Sequence, residues 1–425
     1  MKILIKNPRV LTWEEGRFTV VENDVCIDGE RIAAVGSIPQ GFVPEKVIDG
    51  TDKLVMPGLI NLHTHHYMSL FRNIANDVPF HEWLFDNMMP REDHLTEEDC
   101  YWGTLLALAE QFRTGTTCFN DMYVICDAAA KAARDAGSRA YLGRGLVGDD
   151  EGDGGRLQAA LEEMERYAGD PLLTFTLSPH APYTCSSGYL KKIAAEAAKR
   201  DLILHYHLSE SDGEVKGIKE QHGMTPIAHA DSLGLLDQPI ILAHCVKAET
   251  EDMPLLAKPM VRVVSNPASN MKLGNGFAPI PQMLKAGVNV CLGTDGPASN
   301  NALNLFRDMT IFALIHKGVT QEPTELSAQT ALASVTVNAA KAIGREHELG
   351  QVKAGYLADL SILDLNAPEL LPANDIVSSL VYSAYGTEVE TVVVHGRIVM
   401  ENRELKTIDE DRLRYEIRKR TGIFL

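Results

Sequence analysis

Between residues 57 and 348, short apolar and β-branched runs alternate with longer stretches in which Ala, Leu, Glu and Lys recur at helical spacing. The runs are LINLHTH, GTTCFNDM, RAYLGRGL, LLTFTLSPH, LILHYHLSE, PIILAHCV, VRVVSNP and VNVCLGTDG; the stretches between them include TEEDCYWGTLLALAEQFRT, SSGYLKKIAAEAAKR and NLFRDMTIFALIHK. A strand followed by a helix returns to a parallel strand by a right-handed crossover. Eight such units predict an α/β fold with a closed (β/α)8 barrel of the TIM type. A doubly wound open sheet shares the alternation but would not gather all eight strand ends around one point.

Outside this region the pattern changes. Residues 1–56 read as short strands with turns, as in VCIDGERIAAVG and EKVIDGTDKLVMPG, and similar strands return at DLSILDL and TVVVHGRIVMENREL. Chain ends commonly lie close together, so 1–56 and 349–425 are expected to build one small β-sandwich beside a catalytic barrel at 57–348. DEDRLRYEIRKRT reads as a charged surface helix. The acidic, Gly-rich VGDDEGDGGR lacks the ordered ligands and closing Glu of a calcium loop, so a solvated loop is the expectation.

The first predicted strand ends in His63, His65 and His66. Side chains two apart on a strand share a face, so His63 and His65 point one way and His66 the other. Their α-carbons would lie about 6 to 7 Å apart, close enough for two imidazoles to meet one ion. Alone, an H-x-H pair fits a polar hydrogen-bond network equally well. Its company changes the picture. His180, His207 with Glu210, His244 and Asp295 each stand at the carboxyl end of another predicted strand. Any one of them reads as a satisfied core histidine or carboxylate, but in a barrel those ends form a single ring around the active-site mouth.

Composition narrows the partner. With 45% hydrophobic and 23% charged residues and no apolar run near the roughly 20 residues of a membrane span, no membrane role is expected. A net charge of −18 argues against nucleic acid, which needs clustered Lys and Arg. The seven cysteines contain no C-x-x-C pair, and MKILIKNPRV lacks the apolar stretch of a signal peptide, so buried thiols and a cytoplasmic location are expected.

VMPGLINLHTH, HLSE, LAHC, SNPASNMKLGNG, LGTDG and the closing ADLSILD together resemble the amidohydrolase superfamily, in its zinc-dependent aminohydrolase branch, over nearly the whole chain. The resemblance implies that His63, His65, His207 and Asp295 hold one divalent metal. A second metal would call for a carboxylated Lys on the fourth strand, and LLTFTLSPH has none. His205 also faces inward and competes with His207 on pattern alone; position nearer the strand end, and Glu210 three residues on, favour His207. Neutral imidazoles with one carboxylate suit Zn²⁺, while Fe²⁺ and Mn²⁺ accept similar ligands. A water on that ion would reach a pKa of about 7; Asp295 would take its proton, His244 orient it, and a protonated Glu210 donate to a ring nitrogen, expelling ammonia. The H-x-E and P-C-x-x-C signature of the small zinc deaminases is absent.

The excursion LFRNIANDVPFHEWLFDNMMPREDHLTEED looks most like the 5-methylthioadenosine/S-adenosylhomocysteine deaminase family. That resemblance implies Trp83 against the adenosine or its 5′ group, Glu92 on the ribose hydroxyls, His180 near the purine, and Arg144 and Arg156 toward the substrate's tail. Core packing of Trp83, a helix cap at Glu92 and ion pairs for both arginines are the alternatives. The expected partner is a small nucleoside, with homo-oligomerisation left open. Related aminohydrolases acting on guanine, another N-heterocycle or a chloro-s-triazine share the metal motif. A purine-binding scaffold without turnover is the non-enzyme alternative.

Overall fold

The computed structural model describes residues 1–420 and 422–424. Thr421, the last residue of the expected charged helix, and Leu425, the end of the expected third span, lie outside the described residues. Eight parallel strands, Leu59–Thr64, Thr116–Tyr123, Arg139–Leu146, Leu173–Pro179, Leu204–Leu208, Ile240–His244, Val261–Ser265 and Asn289–Leu292, pair in chain order. Every residue of the first, second, fifth and sixth is buried. Helices cover one face and barrel-filling side chains the other, which is why these strands read as continuous apolar runs rather than alternating ones.

The eighth strand meets the first without a regular ladder. Asp295 N–H donates to the His63 carbonyl at 2.9 Å, Thr294 N–H to Asn61 Oδ1 at 3.0 Å, and Asn61 Nδ2 to Thr294 Oγ1 at 2.8 Å. The approach is so close that a Cβ on Gly293 would fall 2.7 to 2.8 Å from His63 N, Cβ and O. Only glycine closes the barrel here.

Helix ends follow the residue chemistry. Thr96 and Asp99 form a reciprocal capping box for Glu97–Arg113, and Ser186 accepts from Tyr189 N–H to start Ser187–Arg200. The helix Glu410–Arg420 packs its last residue against that capping box. Arg420 Nε donates to Asp99 Oδ1 at 2.8 Å, and its Nη2 lies 2.9 Å from Glu98. Nearby, Arg91 Nε donates to the Phe424 carbonyl at 2.6 Å.

The sandwich has one sheet of four strands, in the order Arg31–Val35, Val25–Asp28, Lys2–Lys6, Lys46–Asp49, and one of seven. The two chain ends join in the larger sheet, where Lys53–Pro57 pairs antiparallel with Leu360–Asp364. The smaller sheet is built wholly from the first fifty residues. Ile3, Ile5 and Ile27 from it pack against Val10, Val55, Leu360 and Ile362 of the larger one.

Barrel and sandwich are clamped by a buried ion pair. Arg139, opening the third barrel strand, donates through Nε to Asp359 Oδ2 at 2.7 Å and through Nη2 to Oδ1 at 3.1 Å. Its Nη1 reaches the Pro171 carbonyl at 3.1 Å, and His395 N–H donates to Asp359 Oδ1 at 2.8 Å. Asp359→Ala strands a buried guanidinium and is expected to cost about 3 to 5 kcal/mol in urea unfolding, while the pair Arg139→Met with Asp359→Leu costs much less. Equal losses in both proteins would show that the charges are not what joins the two parts.

Candidate metal centre and active site

Parity on the first strand is observed as expected. His63 Nε2 and His65 Nε2 each lie 3.5 Å from Asp295 Oδ1, and His207 Nε2 lies 3.3 Å from His65 Nε2. An ion with tetrahedral bonds near 2.1 Å has ligand atoms about 3.4 Å apart, so this donor set has the spacing of a zinc site. His63 Nε2 is buried with no hydrogen-bond partner, as a ligand atom facing an ion would be. Among the described residues, the metal-capable groups of three are His63 with His65 and Asp295, and His63 with His207 and His244. His66 faces away, its Nδ1 3.7 Å from Asp121 Oδ2 and its ring against Phe119.

The rings are held from behind. His65 Nδ1–H donates to the Met122 carbonyl and His207 Nδ1–H to the His180 carbonyl, both at 2.8 Å, which leaves a lone pair on each Nε2. His63 Nδ1 pairs instead with His205 Nε2 at 2.8 Å. His207 Nε2 thus lies with the His63, His65 and Asp295 group, and His205 sits behind His63. Burial pushes the His63 imidazole down to about 3 despite Asp295 beside it, so it is neutral and free to ligate.

Asp295 stands in a left-handed conformation at φ 64 between Gly293 and Gly296. Its Oδ2 accepts from Ser269 Oγ at 2.6 Å and its Oδ1 from Gly296 N–H at 2.7 Å. Burial alone would raise this carboxyl, but His63, His244 and His65 together hold it well below the usual carboxylate range. A Cβ on Gly296 would come within 2.8 Å of Met68 Sδ and 3.2 Å of His65 Cβ. The two glycines of LGTDG therefore give Asp295 its access to the histidines.

Glu210 follows the fifth strand. Burial, then the Asp295 charge, raise its carboxyl well above the usual range, opposed by the hydrogen bond from Asn275 Nδ2 to Oε1 at 3.0 Å. Its Oε2 lies 3.7 Å from His244 Nε2, and His244 Nδ1–H donates to Asn270 Oδ1 at 2.9 Å. Glu214 accepts from the backbone N–H groups of Ser209 and Glu210 at 2.6 and 3.0 Å and so anchors the turn that carries Glu210. Sequence reasoning missed Ser269, Asn270, Asn275 and Glu214 as individual residues. The first three lie within SNPASNMKLGNG, so the motif was the available signal.

A cavity of about 320 Å³ opens over the cluster, with Trp83, Glu92, Arg156, His180 and Glu210 in its walls. Glu92 accepts from the Tyr67 hydroxyl at 2.6 Å, and burial raises its carboxyl above the ordinary range. It does not cap the following helix, because Thr96 and Asp99 do. Trp83 packs in the core at 6% exposure and also lines the cavity, with its buried Nε1 unpartnered. His180 faces the cavity, Nδ1 within 2.9 Å of Thr184 Oγ1, and burial lowers its pKa to about 4. Arg156 is exposed at the mouth. Arg144 is not brought to the cavity. It grips Glu163 in a two-pronged ion pair and donates to the Val124 carbonyl at 2.8 Å, the ion-pair alternative in a largely buried form.

A (β/α)8 barrel with three imidazoles and a carboxylate converging at its carboxyl rim defines a metal-dependent hydrolase. The pattern of the Amidohydrolase family matches residues 54–399. The chain is 42% identical over 424 residues to the 5-methylthioadenosine/S-adenosylhomocysteine deaminase of Moorella thermoacetica, covering 99% of each chain. It is 42% identical over 423 residues to the enzyme of that name from Dictyoglomus thermophilum, covering 99% of this chain and 98% of the other. Among solved structures, an adenosine deaminase from Xanthomonas campestris with bound zinc superposes with a TM-score of 0.94 at 33% identity, over 99% of this chain and 98% of that one. The atrazine chlorohydrolase of Arthrobacter aurescens TC1 complexed with zinc gives 0.91 at 27%, over 98% and 99%. The chain belongs to the amidohydrolase family. It is a hydrolase acting on C–N bonds, and its cofactor is a divalent metal, zinc in these solved relatives.

His63→Ala and Asp295→Ala are expected to lose both the metal and turnover, whereas His66→Ala keeps the metal because its ring points to the other side of the strand. Metal analysis of the purified variants checks this, and metal loss on replacing His66 would refute the ligand set.

Proposed function

We propose that the protein deaminates the 6-amino group of adenosine derivatives, 5′-methylthioadenosine, S-adenosylhomocysteine and adenosine, to the inosine form with release of ammonia. The observation that carries the reading is that Glu92, with Tyr67 on one carboxylate oxygen, and Trp83 share one cavity with Glu210 and the histidine cluster. The cavity lies at the small end of the roughly 300 to 1,000 Å³ typical of ligand pockets, a size suited to a nucleoside. Glu92 Oε2 is left to accept from ribose hydroxyls, Trp83 offers an apolar face, and His180 stands by the base. Arg144 is committed to Glu163, so Arg156 alone remains to meet a carboxylate tail.

His63, His65, His207 and Asp295 would hold the metal. Bound zinc supplies the Lewis acidity that lets water lose a proton near neutral pH. Asp295, kept ionised, receives that proton. His244, with its proton held on Nδ1 by Asn270, presents the Nε2 lone pair and orients the attacking water. Glu210, kept protonated by burial, delivers its proton to the ring nitrogen beside the carbon under attack. Two carboxyl groups with opposed pKa shifts thus serve the two ends of one bond. Asp295 then passes its proton to the amine, which leaves the tetrahedral carbon as ammonia, and the proton of the new hydroxyl returns to Glu210 as the carbonyl forms.

Seven buried free cysteines support a reducing, cytoplasmic setting. The charge of −18 supports a partner other than nucleic acid. Among the described residues no helix is long and apolar enough to cross a membrane. We assign 57–348 as the catalytic barrel, 1–56 and 349–425 as the sandwich, and a homo-oligomer as compatible with this arrangement.

The test is the ultraviolet change from adenine to hypoxanthine with zinc-loaded protein on methylthioadenosine, S-adenosylhomocysteine and adenosine, beside guanine and a chloro-s-triazine. Preference for guanine or the triazine over every adenosine would overturn the substrate. Glu210→Gln is expected to retain its metal while kcat falls by about 10² to 10⁴. Near-normal kcat in that variant excludes the proton-donor role. Glu92→Gln should cost about 1.5 to 3 kcal/mol in kcat/KM on methylthioadenosine. Crossed with a 2′,3′-dideoxy analogue, the loss should largely vanish; equal losses on both substrates would mean that Glu92 does not read the ribose.

A further inference from the structure

We propose that His205 is the positioning residue of His63: its Nε2 accepts the Nδ1–H of His63 and thereby turns the His63 Nε2 lone pair toward the metal. This rests on the metal-site reading above. The two nitrogens are 2.8 Å apart, both side chains are fully buried, and their ring planes stand at 84°. One of the two atoms must donate and the other accept. If His205 donated, His63 would carry its own proton on Nε2 and turn an N–H toward the cluster. An N–H there would point at Asp295 Oδ1, 3.5 Å away, and occupy the place where the ion would sit between that carboxylate and the His65 and His207 rings, so holding the metal requires the other tautomer. With the proton on His63 Nδ1, His205 Nε2 is bare and the His205 proton sits on Nδ1.

That second nitrogen, His205 Nδ1, is buried without a partner. Folded proteins keep few such groups, and an apolar side chain would fill the layer below His207 without leaving one. Retaining a histidine there is explained by the acceptor it offers. His63 differs in this from the other two histidines, whose Nδ1–H groups are oriented by the Met122 and His180 carbonyls. A neutral acceptor also withholds the negative charge that a carboxylate in the same place would bring, so the ion keeps more of its acidity.

The experiment measures zinc affinity of the full chain by competition with a chelator, and the visible spectrum of the cobalt-substituted protein. His205→Phe keeps ring volume and removes the acceptor, and is expected to weaken zinc binding about 10- to 100-fold and to alter the cobalt spectrum. His205→Gln places Oε1 where Nε2 was and should recover most of both. A Phe variant that holds zinc as tightly as wild type overturns the proposal, as does a Gln variant no better than Phe. Independently of any variant, ring ¹⁵N spectra of zinc-loaded wild type should show both His63 and His205 protonated at Nδ1, and His205 protonated at Nε2 would overturn it. Wild-type protein that takes up no zinc would instead overturn the metal reading, before any variant is compared.

Discussion

The seam between the first and eighth barrel strands is the constraint on which the site depends. Asp295 reaches the histidines because the backbone at residue 293 passes against His63 with no room for a side chain. The same approach supplies the hydrogen bond from Asp295 N–H to the His63 carbonyl and the paired amide contacts of Asn61 and Thr294. Closing the sheet and bringing Asp295 to the histidines are therefore one event. An open sheet with the same strands would keep His63 beside His65 but would place Asp295 at the opposite edge.

Around that seam the structure concentrates polar groups that a protein interior normally rejects. His63, His65, His205, His207, His244, Glu210 and Asp295 are all buried. His63, His65 and His207, the imidazoles proposed to hold the ion, each have Nδ1 satisfied by the protein, at His205, Met122 and His180. Asn275, Asn270, Ser269 and Glu214 complete the arrangement from outside. The opposed carboxyl behaviour follows from surroundings: Asp295 is ringed by imidazoles, whereas Glu210 is raised by burial and the neighbouring Asp295 charge, with one amide and one imidazole in reach.

Much of this was legible in the chain. Strands buried on both faces leave continuous apolar runs, so all eight could be located, and five of them run into the candidate histidines and carboxylates. Strict two-residue parity separated His63 and His65 from His66. Other features depend on distance in sequence. Asn275 meets Glu210 across 65 residues and Ser269 meets Asp295 across 26, and nothing local marks either contact. The family resemblance put Arg144 toward the substrate's tail, and its ion-pair partner, Glu163, lies on a separate helix where no local signal marks it. The sandwich was anticipated, but the self-contained sheet of amino-terminal strands was not, since strand patterns reveal faces and not neighbours.

Arg420 and Phe424 bear on more than stability. Through Asp99 and Arg91 they grip the two sides of the stretch that carries Glu92. The position of Glu92, the residue proposed above to read the ribose, thus leans on a chain end more than three hundred residues away. Substitution in that segment is therefore a way to move Glu92 that leaves the histidine cluster itself unchanged.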